Sequence, residues 1–504
     1  MGIKTKYVQE RHAYSTNEIE NLFSELDQYQ VALIINKLKR AGILKIKVEY
    51  DKEQIWSDLA DDNLLSENDA TENSKYYVFD FVGVVCVSGY VFKCYPKYLK
   101  FNTEPLKELK QVISVIEKAS SKELGIKEYE HVSETDHTNL LSLMVYLLND
   151  YYENGLYRNE LDVLELNGNG EIDWDRTINN TYPVISSNQP YYVELFTKRR
   201  VKDDSDYFYR LHSCVLTKIC KELEEADLAE LLDILPLELS EESIDDFGEP
   251  DYISERIRKE LRIQFNTHKQ SILKALNDYI VSKSSLHDNG IFSLYGTNCF
   301  HTVWEKVCAH VFDNVLDKSL QEVCNKLGVV IDETYKNDRF KQLKDLVPKP
   351  EWKWPGTKNS ITIDDTLKLD LVAAFNSGKH SNFIIFDAKY YIPKLSAGKK
   401  LFNVPGIADV TKQYFYQLAF MPFILAHRVD KVRNCFLMPM QYFNKKQGDF
   451  DEHGEVKFDM FHHSMLDGVK LQRIMVRFIH PEKLYDLYLA DRKIPIEQID
   501  LYDN

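Results

Sequence analysis

The stretch Leu367-Lys-Leu-Asp370-Leu-Val-Ala-Ala-Phe375, then Asn376 to Asn382, then Phe383-Ile-Ile-Phe-Asp387-Ala-Lys389-Tyr-Tyr391, decides how this chain is read. Two apolar runs flank a turn region at Ser377-Gly378, which is the pattern of an antiparallel hairpin. Alternate residues of a strand share a face, so Asp387 and Lys389 project together. Folding the hairpin about residue 379 carries Asp370 opposite the 387–389 stretch. Pairing with either Asp387 or Lys389 leaves two carboxylates and one ammonium on a single face.

That trio suits phosphodiester hydrolysis, which needs developing negative charge neutralised and a water activated in line with the leaving oxygen. Mg²⁺ prefers hard oxygen ligands at roughly 2.0–2.1 Å and keeps several waters, so Asp370, Asp387, Glu305 and the Ala388 backbone carbonyl form a suitable set, with Mn²⁺ as a substitute ion. The lysine would orient or polarise the attacking water. An acid-x-Lys triplet alone says little: Glu108-Leu-Lys110 and Glu455-Val-Lys457 have it too, without supporting context. Here the context exists. Upstream, Tyr295-Gly-Thr-Asn-Cys-Phe-His-Thr-Val-Trp-Glu305 reads as a loop entering a helix that presents Glu305 to the sheet. Downstream, Asp409, Gln413 and Gln417 recur every four residues on one helical face, and a strand, Arg433 to Met438, follows. Read singly, Asp370 and Asp387 are also exposed strand residues, Lys389 an edge lysine, Glu305 a helix-surface acid and Gln417 a polar spot on an apolar helix.

This helix, hairpin, helix, strand order resembles the core of the PD-(D/E)xK nuclease superfamily, and most of all McrC-type and LlaJI-type restriction endonuclease subunits. Phe300-His-Thr-Val-Trp-Glu305, Leu369-Asp370-Leu, Phe386-Asp387-Ala-Lys389-Tyr-Tyr and Tyr416-Gln417-Leu-Ala-Phe carry the resemblance over about residues 286–445. Fainter likeness lies in Phe81 to Lys97, in Gly170-Glu-Ile-Asp-Trp and in Asp206-Tyr-Phe-Tyr-Arg-Leu-His. The resemblance implies an Mg²⁺-dependent endodeoxyribonuclease with Asp370, Asp387, Lys389, Glu305 and Gln417 in its site. It also implies double-stranded DNA as substrate and an AAA+ GTPase partner of the McrB type. Two departures stand out. Leu369 replaces a common Pro, and Phe420 stands where a QxxxY pattern often ends in Tyr, which leaves open whether Gln413 or Gln417 takes the polar role.

The fold class expected is α/β (α+β): a C-terminal nuclease domain with a mixed sheet flanked by helices, preceded by an α+β N-terminal domain and a mainly helical middle region. The divisions fall at residues 1–125, 126–285 and 286–504. At 504 residues several domains are expected, and 44% hydrophobic with 28% charged content is that of a globular chain. Ser15 to Glu18 reads as a capping box, and Val31 to Leu44 is similar to the second half of a winged helix. A polar loop, Asp61 to Lys75, precedes a hairpin of Tyr76 to Val87 and Tyr90 to Lys97 turning at Ser88-Gly89. Tyr207 to Glu225 and Ser254 to Val281 read as helices around an acidic excursion. Lys198-Arg199-Arg200 is readable as a phosphate or partner contact or as a solvated face, and the His462-His463 pair as a solvated loop.

Eight cysteines without a CxxC pair point to free thiols. No apolar run spans a bilayer and the start of the chain carries no signal pattern, so a cytoplasmic protein without membrane contact is expected. The formal net charge of −16 disfavours strong non-specific DNA binding by the whole surface. There is no GxxxxGK[ST] loop; Ser377-Gly-Lys379-His380 lacks the upstream Gly and the final hydroxyl. A partner must then grip DNA and consume nucleotide, with the first half of the chain serving docking and control. Removing residues 1–125 is expected to leave a folded C-terminal domain that no longer answers the partner. One site per chain implies self-association for double-strand cutting. The competing readings are a non-catalytic activator or scaffold of the motor, and a repair-type nuclease of the same superfamily.

Overall fold

Asn376, Ser377 and Gly378 close the decisive hairpin, with Gly378 at φ +81°, where a side chain would strain the backbone. In the computed structural model, which describes residues 3–23, 26–48, 75–99, 105–120, 139–203, 205–282, 291–353, 355, 360–393, 403–441, 450–458, 465–466 and 469–499, the strands Leu371–Asn376 and Ser381–Ala388 pair antiparallel. Leu371 faces Phe386 and Asn376 faces Ser381. The same register carried one residue further sets Asp370 opposite Asp387, which decides between the two pairings left open by the sequence.

The hairpin forms one edge of a five-stranded mixed sheet in the order Leu371–Asn376, Ser381–Ala388, Lys431–Pro439, Ile474–Ile479, Phe450–Val456. The central pairings, Ser381–Ala388 with Lys431–Pro439 and that strand with Ile474–Ile479, are parallel. Parallel strands are buried on both faces, and Ser381–Ala388 is buried throughout. Phe383 and Ile385 pack with Tyr416, Phe420 and Phe423 of the helix Ile407–Ala426 and with Val323 and Leu327 of the helix Leu320–Leu327. Phe386, pointing the other way, lies 5.0 Å from Phe312 just past the helix Phe300–Val311. Helices thus cover both faces of the site-bearing strand, and the mixed α and β content agrees with the expected class.

The chain divides into two compact units. One takes residues 6–84, 92–125 and 296–504, so Lys6 to Val84 belongs with the five-stranded sheet. It also holds a three-stranded sheet of Ala13–Ser15, Lys75–Phe79 and Leu44–Val48 beside the helices Thr16–Leu22 and Gln28–Arg40. The other takes residues 1–5, 85–91 and 126–295. Its helices Leu140–Asn154, Tyr207–Glu225, Pro250–Ile263 and Thr267–Ser282 accompany two small antiparallel sheets built from residues 160–202.

Two elements read as continuous are broken in the structure. The expected strand from Tyr76 to Val87 breaks at Asp80 into Lys75–Phe79 and Val82–Val87, which join different sheets. Asp80 is held there by Arg11 Nε at 3.0 Å and Lys45 Nζ at 2.7 Å. The helix expected from Ser254 to Val281 is two helices, parted at Gln264 to Asn266, where Asn266 Oδ1 accepts the N–H of Lys269 and caps the second. The capping box at Ser15 and Glu18 and the Ser88-Gly89 turn form as read. Lys198, Arg199 and Arg200 pair with Asp162 and Glu165 on an exposed sheet. The loop Asp61 to Lys75 lies, but for its last residue, outside the described residues, as does His462-His463. All eight cysteines are free, seven of them buried. Among the described residues no helix is long and apolar enough to cross a membrane.

Candidate active site

Asp387 occupies the penultimate position of its strand at 3% exposure. Asp370 approaches from the partner strand, and its Oδ2 accepts the Ala388 N–H at 2.8 Å. That bond is the physical consequence of the register: the side chain of Asp370 caps the hairpin's open end where the ladder stops. Burial pushes the Asp387 carboxyl well up, and the facing Asp370 pushes it further. Asp370 is raised too, again through burial first. Two acids facing each other in a desolvated place cannot both ionise cheaply without a cation.

Lys389 supplies part of that charge. Its Nζ lies 2.8 Å from Asp409 Oδ1 and 3.3 Å from Asp387 Oδ2. Burial alone would pull its pKa down, but Asp387 and Asp409 together hold it above the ordinary lysine value. The ammonium is therefore protonated at any working pH. Asp387 Oδ2 nevertheless accepts no well-aligned hydrogen bond, although it is buried. A buried carboxylate oxygen held by an ion pair alone, beside a second carboxylate, is suited to accept a further cation.

Glu305 sits on the helix Phe300–Val311, half-buried, and burial raises its carboxyl while Lys389 and Lys412 oppose the rise. The charges of Lys389 and Asp387 act on it, so it lies within their electrostatic reach. The entry to that helix is a tight one: a Cβ on Gly296, at φ +150°, would collide with the Val82 carbonyl and the Phe81 ring. The sequence expected a loop before the helix; the strand Phe292–Thr297 stands there instead.

Gln417 is not brought to the carboxylates. It is fully buried, and its Oε1 accepts Asn434 Nδ2 at 2.7 Å and the Gln472 N–H at 3.0 Å. Gln413, also fully buried, donates to the Ile385 carbonyl at 2.8 Å, two residues before Asp387. Of the helical face Asp409, Gln413, Gln417, the residue that reaches the site is Asp409. Its spacing with the glutamines was visible in the sequence, but its partner was not. Glu10 and Tyr390 carried no such signal, and the Tyr390 hydroxyl donates to Glu10 Oε2 at 2.6 Å.

Among the described residues no three His, Cys, Asp or Glu side chains gather closely enough to hold a metal by themselves. Mg²⁺ does not require that, since one or two carboxylates plus waters and substrate phosphate suffice. The facing aspartates with an unsatisfied buried oxygen fit such an ion.

A buried pair of facing acids beside a lysine thus lies at the open end of a helix-covered mixed sheet. The chain belongs to the LlaJI restriction endonuclease family, whose model matches residues 81–327 and 322–480. It is 26% identical over 469 residues to the type II restriction enzyme BsuMI component YdjA of Bacillus subtilis (strain 168), covering 90% of each chain. Among solved structures it is similar to a chain of the refined half-complex from the tetradecameric assembly of Thermococcus gammatolerans McrB AAA+ hexamers with bound McrC. There the TM-score is 0.34 at 11% identity, over 97% of this chain and 100% of that one. A second match is to a chain of the cryo-EM structure of the Thermococcus gammatolerans McrBC complex, with TM-score 0.23 at 15% identity over 57% of this chain and 83% of that one.

Proposed function

We propose that this chain is the Mg²⁺-dependent endonuclease subunit of a restriction system, with a PD-(D/E)xK type of site that hydrolyses phosphodiester bonds in double-stranded DNA. The observation that carries the reading is the Asp370–Asp387 pair with Lys389 held between Asp387 and Asp409, in a member of a restriction endonuclease family. Family membership favours restriction over a repair role. Asp370, Asp387 and the Ala388 carbonyl would hold the ion, with Glu305 contributing through water. Bound Mg²⁺, or Mn²⁺ in its place, supplies Lewis-acid polarisation of the phosphate and a more acidic coordinated water. Lys389 presents a fixed positive charge toward the phosphoryl oxygens. Glu305, its carboxyl raised by burial, is suited to take and release a proton.

Control would come from an AAA+ GTPase partner of the McrB type, since the 504 residues contain no P-loop of their own. Exposed apolar side chains in and beside the small sheets, among them Tyr182 at 95%, Ile185 at 72% and Val193 at 70%, support a protein contact. Self-association in the active assembly would supply a site for each strand.

The test reconstitutes the full chain with the products of its neighbouring genes on plasmid DNA, with Mg²⁺ and GTP. Asp370→Ala and Lys389→Ala should each lose at least about 100-fold in cleavage and melt as cooperatively as the parent. Undiminished cutting by both would refute the reading. A parent protein that stimulates GTP hydrolysis but never cuts would favour the non-catalytic scaffold.

A further inference from the structure

Lys389 stands where regular structure ends. Ser381–Ala388 is the paired strand, and residues 389–393 continue without sheet pairing. Two anchors fix the chain at this point. The Lys389 N–H donates to the Leu437 carbonyl at 2.8 Å. Tyr390, 7% exposed, donates its hydroxyl to Glu10 Oε2 at 2.6 Å. Glu10, itself 5% exposed, is tied in turn: its Oε2 accepts the Lys97 N–H at 3.1 Å, and its own N–H donates to the Tyr95 carbonyl at 2.9 Å. The Tyr390 ring is wedged between Lys97 Nζ, 4.4 Å from its centroid, and Phe300 and Tyr98 at 5.2 and 6.3 Å.

A buried carboxylate is tolerated only where its hydrogen bonds are spent on something specific. The Tyr390 side chain is taken up by Glu10, Lys97, Phe300 and Tyr98 rather than by Asp387 or Lys389. It therefore cannot touch a substrate bound there, and acts on the site only through the main chain from which Lys389 projects.

We propose that Glu10 is a positioning residue for Lys389, acting through Tyr390, so that a side chain near the start of the sequence fixes the pose of the active-site lysine. The inference rests on the reading of Lys389 given above. A lysine just past the end of a strand samples many rotamers, and those that leave Asp387 and Asp409 are unproductive. Fixing the following residue removes the backbone freedom that would feed them.

The test uses the full chain with Tyr390→Phe, Glu10→Gln and Glu10→Ala. Two quantities are read: kcat and KM for DNA at saturating Mg²⁺, and, without metal, the rate of Lys389 acylation by an N-hydroxysuccinimide ester followed by peptide mass spectrometry. Tyr390→Phe keeps the ring and loses only the hydroxyl. It should lower kcat by about 10- to 100-fold with KM little changed, and speed Lys389 acylation at least about threefold while Lys326 in the same sample is unchanged. Glu10→Gln should stay within a few-fold of the parent, because the amide oxygen still accepts from Tyr390, whereas Glu10→Ala should match Tyr390→Phe. Parental kcat and labelling in Tyr390→Phe would overturn the proposal. So would equal acceleration of Lys389 and Lys326, which marks general loosening, or a Glu10→Gln variant as impaired as Glu10→Ala. Full cleavage by Lys389→Ala would instead sink the nuclease reading while leaving the labelling result to judge this one.

Discussion

Asp387→Asn should make the metal-free protein more stable while abolishing cleavage. In the parent, Asp387 is 3% exposed, faces Asp370 and has a buried oxygen without a well-aligned donor. Two unit charges about 4 Å apart repel by about 4 kcal/mol at an effective dielectric of 20. Lys389 at 3.3 Å offsets much of that, leaving a net strain on the order of 1–2 kcal/mol. The asparagine is isosteric, carries no charge and can donate to Asp370. Lys389 keeps Asp409 at 2.8 Å, so no buried ammonium is stranded. A gain of about 1 kcal/mol raises the melting temperature of a 150–250-residue domain by roughly 2–4 °C, so a rise of roughly 2–8 °C is expected.

The sign of the pH dependence follows from the direction of the shifts. Both carboxyls are raised in the folded protein, Asp387 by burial and then by Asp370, Asp370 mainly by burial. A raised acid favours the folded state while protonated, and that contribution is lost as pH rises through the folded pKa. The advantage of Asp387→Asn should therefore be small below the ordinary aspartate pKa and grow as pH rises through the raised folded pKa. Differential scanning fluorimetry across that range, with and without Mg²⁺, reads all of it. Saturating Mg²⁺ at about 100 times its dissociation constant should stabilise the parent by about 2.7 kcal/mol and the variant much less. An Asp387→Asn protein that melts lower than the parent at pH 8, with Mg²⁺ stabilising both alike, would refute the reasoning.

Gln417→Leu takes the acceptor from the Gln472 N–H and leaves Asn434 Nδ2 only its longer bond to the Gln472 carbonyl at 3.3 Å. Denaturant titration should show a loss of roughly 2–4 kcal/mol, with cleavage per folded molecule within a few-fold of the parent; a stable but inactive variant would return Gln417 to the chemistry. Deleting residues 1–125 removes Glu10 from Tyr390, the Tyr98 hydroxyl from that of Tyr485, and the bonds from Gln111 to Glu482 and Asp486 and from Lys118 to Tyr488. The remainder should be poorly soluble and melt without cooperativity, as measured by circular dichroism. A cooperative, well-folded remainder would instead favour the expectation drawn from the sequence.

What the sequence made legible is what is local. The hairpin was readable because its turn and both strands lie within 25 or so consecutive residues, and strand alternation then put Asp387 and Lys389 on one face. Whether Asp370 opposed 387 or 389 depended on the count of residues in the turn, which the sequence leaves open and the Leu371–Phe386 register closes. Glu305 was reachable from helical periodicity. The two broken elements hid for a related reason: Asp80 and Asn266 are ordinary residues inside apolar or helical patterns, and only the Arg11 and Lys45 partners of one and the capping role of the other end the element. In each case a tertiary or capping bond outweighed a propensity worth at most about 1 kcal/mol per residue.

Glu10 and Tyr390 are separated by 380 positions, and no pattern in a single sequence relates such a pair. Glu10 looks like any acid beside Arg11, and Tyr390 like one of two consecutive tyrosines following the lysine. Their meaning comes from the fold, in which residues 6–84 and 92–125 share a compact unit with the five-stranded sheet. The sequence reading assigned this N-terminal stretch to docking and control, and the catalytic residues to the C-terminal domain. The Glu10–Tyr390 bond shows how control could be exercised without any wire between distant sites. Whatever shifts the strand Lys4–Gln9 by even 1 Å or so also shifts Glu10, and with it the backbone that carries Lys389. A partner that grips the start of the chain would then act on the pose of the lysine rather than on the carboxylates. The carboxylates need no such help: their positions are set by the hairpin register itself.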